Sequence, residues 1–277
     1  MNMLQRLTKL AVKFISIAWP TFVANMAYDT LTNPKVKKVR PHEVTMLNKA
    51  QRKRVKFRHF EIQTYKWGKK TNKKILLVHG WEGQAGNFTD IIEALLSHHY
   101  YVIAFDAPSH GYSSTGQTNL FDFSDVVLKM IRENDCKNLI SHSFGGVATS
   151  YALSRNNDIE IDKYILLTTP DKFIDRIDDV CQRVGISSRV KSKLIDKIEK
   201  EIKINVKDAN VSEFVKNVNV RQALIIHDRY DKVIPLEQSS NVNNNWPICS
   251  IKEIEGTGHF RILRTKSVNQ LILNFLS

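Results

Sequence analysis

The chain is poor in cysteine: Cys136, Cys181 and Cys249 lie far apart among 277 residues, with no Cys-x-x-Cys pair. An odd, sparse set excludes a disulfide framework and fits thiols buried in a reducing, cytoplasmic compartment. No His/Cys cluster has zinc-like spacing, so no structural metal is expected. A run of about 18 uncharged apolar residues is also missing, which excludes a simple membrane-spanning helix. One stretch nearly lacks acid. Residues 35–74 hold 15 basic side chains against only Glu43 and Glu61, a net +13 that equals the charge of the whole chain; the other 237 residues carry 26 of each sign. A uniformly cationic nucleic-acid coat is therefore excluded. With 42% hydrophobic and 25% charged residues, the bulk is not disordered. The length suits one large α/β domain or two smaller ones.

Near the N-terminus, Leu4, Leu7, Ala11, Phe14, Ala18 and Phe22 recur at three- and four-residue steps, with Arg6, Lys9, Lys13 and Ser16 on another stripe. This is the period of an amphipathic helix. It makes a poor signal peptide, because Lys13 interrupts the apolar stretch, Pro20 follows and no small-x-small site ends it. Two roles fit. The apolar stripe packs on the rest of the fold, which a moment alone favours, or it lies on an anionic membrane surface with help from residues 1–74, placing the protein peripherally. Within the basic belt, Gln51-Arg-Lys-Arg-Val-Lys-Phe-Arg58 reads as solvated surface, and no nucleic-acid recognition motif accompanies it. It runs into Phe60–Trp67, whose alternation predicts a strand with one face buried and its lysines in water.

From residue 74 the chain alternates short apolar runs with helix-length segments. The runs are Ile75–Val78, Tyr101–Phe105, Asn138–Ile140, Tyr164–Leu167, Ala223–Ile226 and Ile248–Ile251. Runs this continuous predict a mostly parallel sheet covered on both faces. Such sheets hold ligands at the carboxyl ends of their strands, and the polar motifs fall there. After the third run comes Ser141-His-Ser-Phe-Gly-Gly146, a serine between small residues at a strand-to-helix junction. That is the pattern of a nucleophile elbow, with Ser141 where a first glycine is usual. A helix starting there aims the Phe144 N–H at a developing oxyanion. After the first run, His79-Gly-Trp81 offers the Trp81 N–H as a second donor. After the second comes the tight polar turn Asp106-Ala-Pro-Ser-His-Gly111, and after the fifth His227-Asp-Arg-Tyr-Asp-Lys-Val-Ile-Pro235, which supplies an acid. Gly256-Thr-Gly-His259-Phe260 sets a histidine in a glycine-flanked loop.

With these pieces in this order, the sequence resembles the α/β-hydrolase-fold superfamily from about residue 58 to the C-terminus. The resemblance implies an α/β-hydrolase fold and a serine esterase-like activity on a small acyl substrate. It implies Ser143 as nucleophile, His259 as general base and then acid, Asp231 as orienting carboxylate, and Trp81 and Phe144 as oxyanion-hole donors, with no cofactor. Asp228 is the rival carboxylate; the family's Asp-x-Val-x-Pro spacing selects Asp231. His142 is expected to be a packed spacer facing away from the site, because strand neighbours alternate. His79 and His110 are expected to be structural, and Glu82 a solvated loop carboxylate. Between Pro170 and Arg221 the rhythm gives way to helices, matching the cap that many such proteins insert. The expected organisation is an N-terminal helix and basic extension over residues 1–57, then a hydrolase domain over 58–277 with a helical cap at 171–221. A binding module at an anionic membrane surface is the alternative function, and nothing in the sequence speaks to oligomeric state.

Overall fold

The computed structural model describes residue 12 and residues 14–35, 39–202 and 204–277. Contacts divide the chain into two units. One joins residues 1–33 to 172–210, and the other joins 34–171 to 211–277.

The larger unit is built on eight strands: β1 Gln51–Phe57, β2 Phe60–Trp67, β3 Lys74–Val78, β4 Tyr101–Phe105, β5 Asn138–His142, β6 Ile161–Leu167, β7 Val220–Asp228 and β8 Cys249–Ile254. They lie in the order β1-β2-β4-β3-β5-β6-β7-β8. The β1–β2 and β2–β4 pairs are antiparallel and all others parallel. Five of the six apolar runs lie wholly in strands β3 to β7, and the sixth enters β8 after Ile248. β3, β4 and the inner residues of β5 to β7 are almost wholly buried because helices cover the sheet. A side chain of Val, Ile, Leu or Phe so enclosed contributes about 1.5–3 kcal/mol relative to water, and this sheet carries some twenty of them.

Strand β2 departs from the expected alternation. Ile62, Tyr65 and Trp67 are buried, and so are Gln63 and Thr64 between them, because β1 and β4 flank the strand. The expected boundary at residue 57/58 falls inside the β1–β2 hairpin, since Gln51 pairs with Lys66 and Phe57 with Phe60. Residues 41–57 therefore belong with the sheet. Helix α2 (Pro41–Asn48) is fastened to it by the buried carboxylate of Glu43, which accepts from the Arg40 N–H at 2.9 Å, Gln84 Nε2 at 3.2 Å and Asn87 Nδ2 at 3.1 Å. Gly86 lies against the Glu43 Cβ, closing the joint.

In the smaller unit, helix α1 (Pro20–Thr32) packs on α7 (Ser188–Ile202). Lys197 donates to Asn25 Oδ1 at 2.9 Å and sits 4.3 Å from the centre of the Tyr28 ring. Helix α6 (Phe173–Val184) completes the insertion between β6 and β7. The predicted apolar stripe is not the packing face. Phe14, Ala18 and Phe22 are exposed, whereas Ser16, Val23, Ala24, Tyr28 and Thr32 are buried. Leu4, Leu7 and Ala11 lie outside the described residues.

The basic belt has a physical role at the sheet edge. In β1, Arg52, Lys53, Arg54 and Lys56 are all exposed, and a charged edge resists pairing with another chain. Arg54 pairs with Glu61 at 3.1 Å, and Arg58 reaches both Asp122 and Asp125. Replacing Arg52, Lys53, Arg54 and Lys56 together by threonine should therefore raise the apparent mass in light scattering at matched concentration. An unchanged mass would mean that charge does not guard this edge.

Candidate active site

The polar motifs converge at the carboxyl ends of β3, β5 and β7. Strand β5 ends at His142 and helix α5 (Phe144–Ser154) starts at Phe144, so Ser143 alone turns the chain, with φ 53° and ψ −125°. A left-handed non-glycine residue of this kind costs on the order of 1–3 kcal/mol and persists only where its surroundings over-determine it. Those surroundings are close. A Cβ on Gly145 would come within 2.4 Å of the His79 carbonyl oxygen and 2.5 Å of that of Val78, and one on Gly146 within 2.2 Å of Thr169 Oγ1. The Ser143 N–H donates to the Leu167 carbonyl at 2.9 Å, fixing the elbow to β6. Ser141, where a glycine is usual, is fully buried and donates to the Tyr164 hydroxyl at 2.9 Å. Its hydroxyl thus has a partner, which is how the extra atoms fit.

Ser143 Oγ lies 3.0 Å from His259 Nε2, and His259 Nδ1 lies 2.8 Å from Asp231 Oδ2. The other Asp231 oxygen accepts the N–H groups of Val233 at 2.7 Å and Ile234 at 3.1 Å. This explains the spacing in physical terms: the two residues following Lys232 cap the carboxylate, leaving its second oxygen for the imidazole. Burial pushes the Asp231 carboxyl up, but its hydrogen bond with His259, the charge of that ring and the two N–H donors together hold it below the usual range.

Asp228 does a different job. It accepts from the Gly258 N–H at 2.8 Å, the Tyr230 N–H at 2.9 Å, Thr257 Oγ1 at 2.9 Å and the Thr257 N–H. It anchors the loop that carries His259. Burial raises its pKa, and the Gly258, Tyr230 and Thr257 donors outweigh that and bring it below the ordinary value.

His142 does not face away from the site. Its Nε2 lies 2.9 Å from the His259 carbonyl oxygen, and the two rings are 4.9 Å apart. Strand alternation fails here because the strand ends at this residue and the chain turns at the next. Burial, reinforced by the nearby His259, pushes His142 down to about 3. The neutral ring therefore donates Nε2–H to that carbonyl and supports the backbone of the histidine loop. Sequence reasoning missed this residue; its place next to a serine at a strand end was the available signal.

His79 and His110 are buried in turns, as expected. His79 Nδ1–H donates to the Gly80 carbonyl at 2.8 Å and Nε2 accepts the Ala107 N–H at 2.9 Å, tying the 79–83 loop to the 106–111 turn. Asp106 accepts from the Tyr65 hydroxyl, the Ala85 N–H and the Tyr112 N–H, each at 2.8 Å. Burial raises its carboxyl to about 6 despite these donors. Gly80 lies against the nucleophile, since a Cβ there would sit 3.0 Å from the Ser143 Cβ. Next to it, the Trp81 ring packs edge-on to Phe144 at 5.3 Å. Neither the Trp81 nor the Phe144 N–H makes a backbone hydrogen bond among the described residues. Glu82 has φ 55° and accepts the Lys35 N–H at 3.2 Å, so it is less solvated than expected. Among the described residues, no group of three or more His, Cys, Asp or Glu side chains could hold a metal ion. A shallow cavity of about 700 Å³, lined by Lys73, Lys137, Lys163 and Arg221 among others, opens at the amino ends of the strands, away from Ser143.

The buried imidazoles set an acid limit on stability. Burial lowers His110 to about 4, His142 to about 3, and His79 and His227 also below the ordinary value near 6.5. Below about pH 6.5 the unfolded chain binds protons that the folded chain refuses, so their stabilisation, full above that pH, is lost as pH falls toward about 3–4. Asp106 has the opposite sign, because its raised carboxyl is relieved between about 6 and 4. Burial raises Glu201 as well, but the four imidazoles and the lowered carboxyls of Asp228 and Asp231 outnumber these two. The melting temperature by circular dichroism should fall steadily from pH 6.5 to 4.5; a flat profile would contradict the neutral assignments. Gly145→Ala should cost about 1–3 kcal/mol or more in denaturant titration, and a variant as stable as the parent would refute the close approach.

Comparison with known proteins follows the same lines. The family model for the alpha/beta hydrolase fold matches residues 73–181. A Drosophila melanogaster protein named "Probable serine hydrolase" is 34% identical over 102 residues, covering 34% of this chain and 30% of its own length. The human "Serine hydrolase-like protein" is 30% identical over 110 residues, covering 38% of this chain and 53% of its own. This chain thus spans about a third to a half of these curated relatives. The solved structure of an esterase from Pyrococcus furiosus superposes with a TM-score of 0.64 at 17% identity, covering 89% of this chain and 97% of the other. Sheet order, elbow and structural likeness agree with the family match over residues 73–181, and the chain has the α/β-hydrolase fold.

Proposed function

We propose that this chain is a serine hydrolase that cleaves a carboxylic ester, or a related thioester or amide, through an acyl-enzyme intermediate. The observation that carries the proposal is the hydrogen-bonded line Ser143–His259–Asp231, at 3.0 and 2.8 Å, with its serine on a strained elbow. A serine hydroxyl is a weak nucleophile until a base takes its proton. His259 Nε2 accepts that proton as Ser143 Oγ bonds to the acyl carbon. The Asp231 carboxylate holds the Nδ1–H tautomer and stabilises the imidazolium that forms. The Trp81 and Phe144 N–H groups, the latter at a helix N-terminus, receive the negative charge on the former carbonyl oxygen. His259 then protonates the departing alcohol, thiol or amine. Water, deprotonated by the same imidazole, releases the acid and restores Ser143. The chain itself supplies every group in this sequence, so no cofactor is called for. The names of the Drosophila, human and Pyrococcus relatives accord with this chemistry.

A fluorophosphonate probe should label Ser143 in the folded protein. The thiols do not compete: burial pushes Cys136 and Cys249 up to about 12, and Cys181 is raised as well. Ser143→Ala should abolish labelling and reduce hydrolysis of short p-nitrophenyl esters by about six orders of magnitude. Asp231→Asn should cost about four orders of magnitude, while Asp228→Asn should chiefly lower thermal stability. An unlabelled but folded parent would sink the hydrolase proposal and favour a binding role. A Ser143→Ala variant with parental esterase activity would move the chemistry elsewhere.

A further inference from the structure

Ten large apolar side chains are exposed among the described residues, and six of them fall within residues 14–26: Phe14 (71% exposed), Ile15 (40%), Ile17 (66%), Trp19 (66%), Phe22 (58%) and Met26 (55%). Residues 14–18 are helical and α1 follows from Pro20; between them Trp19 leaves the helical conformation (φ −132°, ψ 65°), while its N–H donates to the Ile15 carbonyl at 2.8 Å and its carbonyl accepts the Val23 N–H at 3.1 Å. Phe22 and Met26, four residues apart on α1, share a face, and the other four stand on the segment that leads into it. The opposite face, through Val23, Ala24 and Tyr28, is occupied by the packing described above. Residues 14–26 carry no charged side chain at all. A contiguous patch of this kind marks an interaction surface.

Charge identifies the partner. Residues 1–33 and 172–210, which form the smaller unit, carry 13 basic and 8 acidic side chains, a net +5. On α7, Arg189, Lys193 and Lys200 stand on one face at four- and seven-residue steps, interrupted only by Asp196, and none is buried. An uncharged face of Trp, Phe and Ile in a cationic unit is the composition of a helix that lies in a lipid interface rather than crossing it. Trp19 in particular suits the headgroup boundary. Among the described residues no helix is long and apolar enough to span. We infer that the exposed apolar segment carrying Ile15, Trp19, Phe22 and Met26 docks this protein on an anionic lipid surface, with the smaller unit's net positive charge adding electrostatic attraction. The inference rests on this segment and not on the 35–74 belt. This inference does not depend on the proposed hydrolysis.

The test uses the full chain with vesicles of phosphatidylcholine alone and of phosphatidylcholine with phosphatidylglycerol. Co-sedimentation should be strong with the anionic vesicles, weaker with neutral ones, and reduced but not abolished by added salt. Tryptophan emission should shift to the blue on vesicle addition, because Trp67 and Trp246 are already buried and Trp19 is the most exposed of the four. The double variant Trp19→Glu, Phe22→Glu should bind about tenfold or more weakly and keep the parental circular dichroism melt. Phe22→Leu should bind nearly as well as the parent. Failure of the parent to bind either vesicle would overturn the inference, as would a folded double variant that binds like the parent. So would a concentration-dependent dimer that the double variant abolishes without any vesicle binding, which would assign the face to a second copy.

Discussion

The carboxyl edge of the sheet depends on one steric constraint: at Gly145, helix α5 comes so close to the end of strand β3 that no side-chain carbon fits. This contact fixes where α5 begins and keeps Ser143 in a backbone conformation that an unconstrained serine would leave. The strained turn lifts the hydroxyl out of the sheet toward His259 and presents the first N–H of the helix beside it. Gly80 applies the same requirement from the neighbouring loop, lying against the Ser143 Cβ. A close-packed interior thus sets the geometry of the turn at Ser143 without any mobile part being invoked.

Buried polar groups hold the remaining geometry, and each resolves the penalty of desolvation in its own way. His79, His110, His142 and His227 stay neutral, so each can act as a directed hydrogen-bonding group rather than a charge. Asp231 and Asp228 remain ionised because N–H groups surround them. The division of labour between these two carboxylates rests on geometry alone. They lie three residues apart, Asp228 ending β7 and Asp231 in the turn after it, yet one faces an imidazole and the other the backbone that carries it.

Much of this architecture could be read from the residues. The six apolar runs are strands because enclosure on both faces leaves no polar alternation to blur them. Ser143, Asp231 and His259 were recognisable because their backbone demands, small neighbours at 145 and 146 and capping N–H groups after 231, leave marks in sequence. The misreadings share a cause. His142 was assigned by strand period, but the period ends where the strand does. The N-terminal stripe left two roles open, packing on the fold or lying on a membrane; in its described part Phe14 and Phe22 are exposed, and Val23, Ala24 and Tyr28 are buried. The basic run 51–58 concealed a strand because an edge strand needs polar cover, and charge is a weak signal of secondary structure.

The smaller unit brings together pieces that are distant in the chain. Helix α1 packs on α7, some 170 residues later. During synthesis the first helix emerges long before its partner exists, and the strands β1 to β6 are made in between. The entropy of closing so long a loop rises only with the logarithm of its length, so the final union is permitted. Its delay is set by elongation rather than by that entropy. At about 5–20 residues per second, the nascent helix waits roughly ten to thirty seconds with both of its faces uncovered. The order of translation therefore makes this helix available to whatever binds apolar surface first.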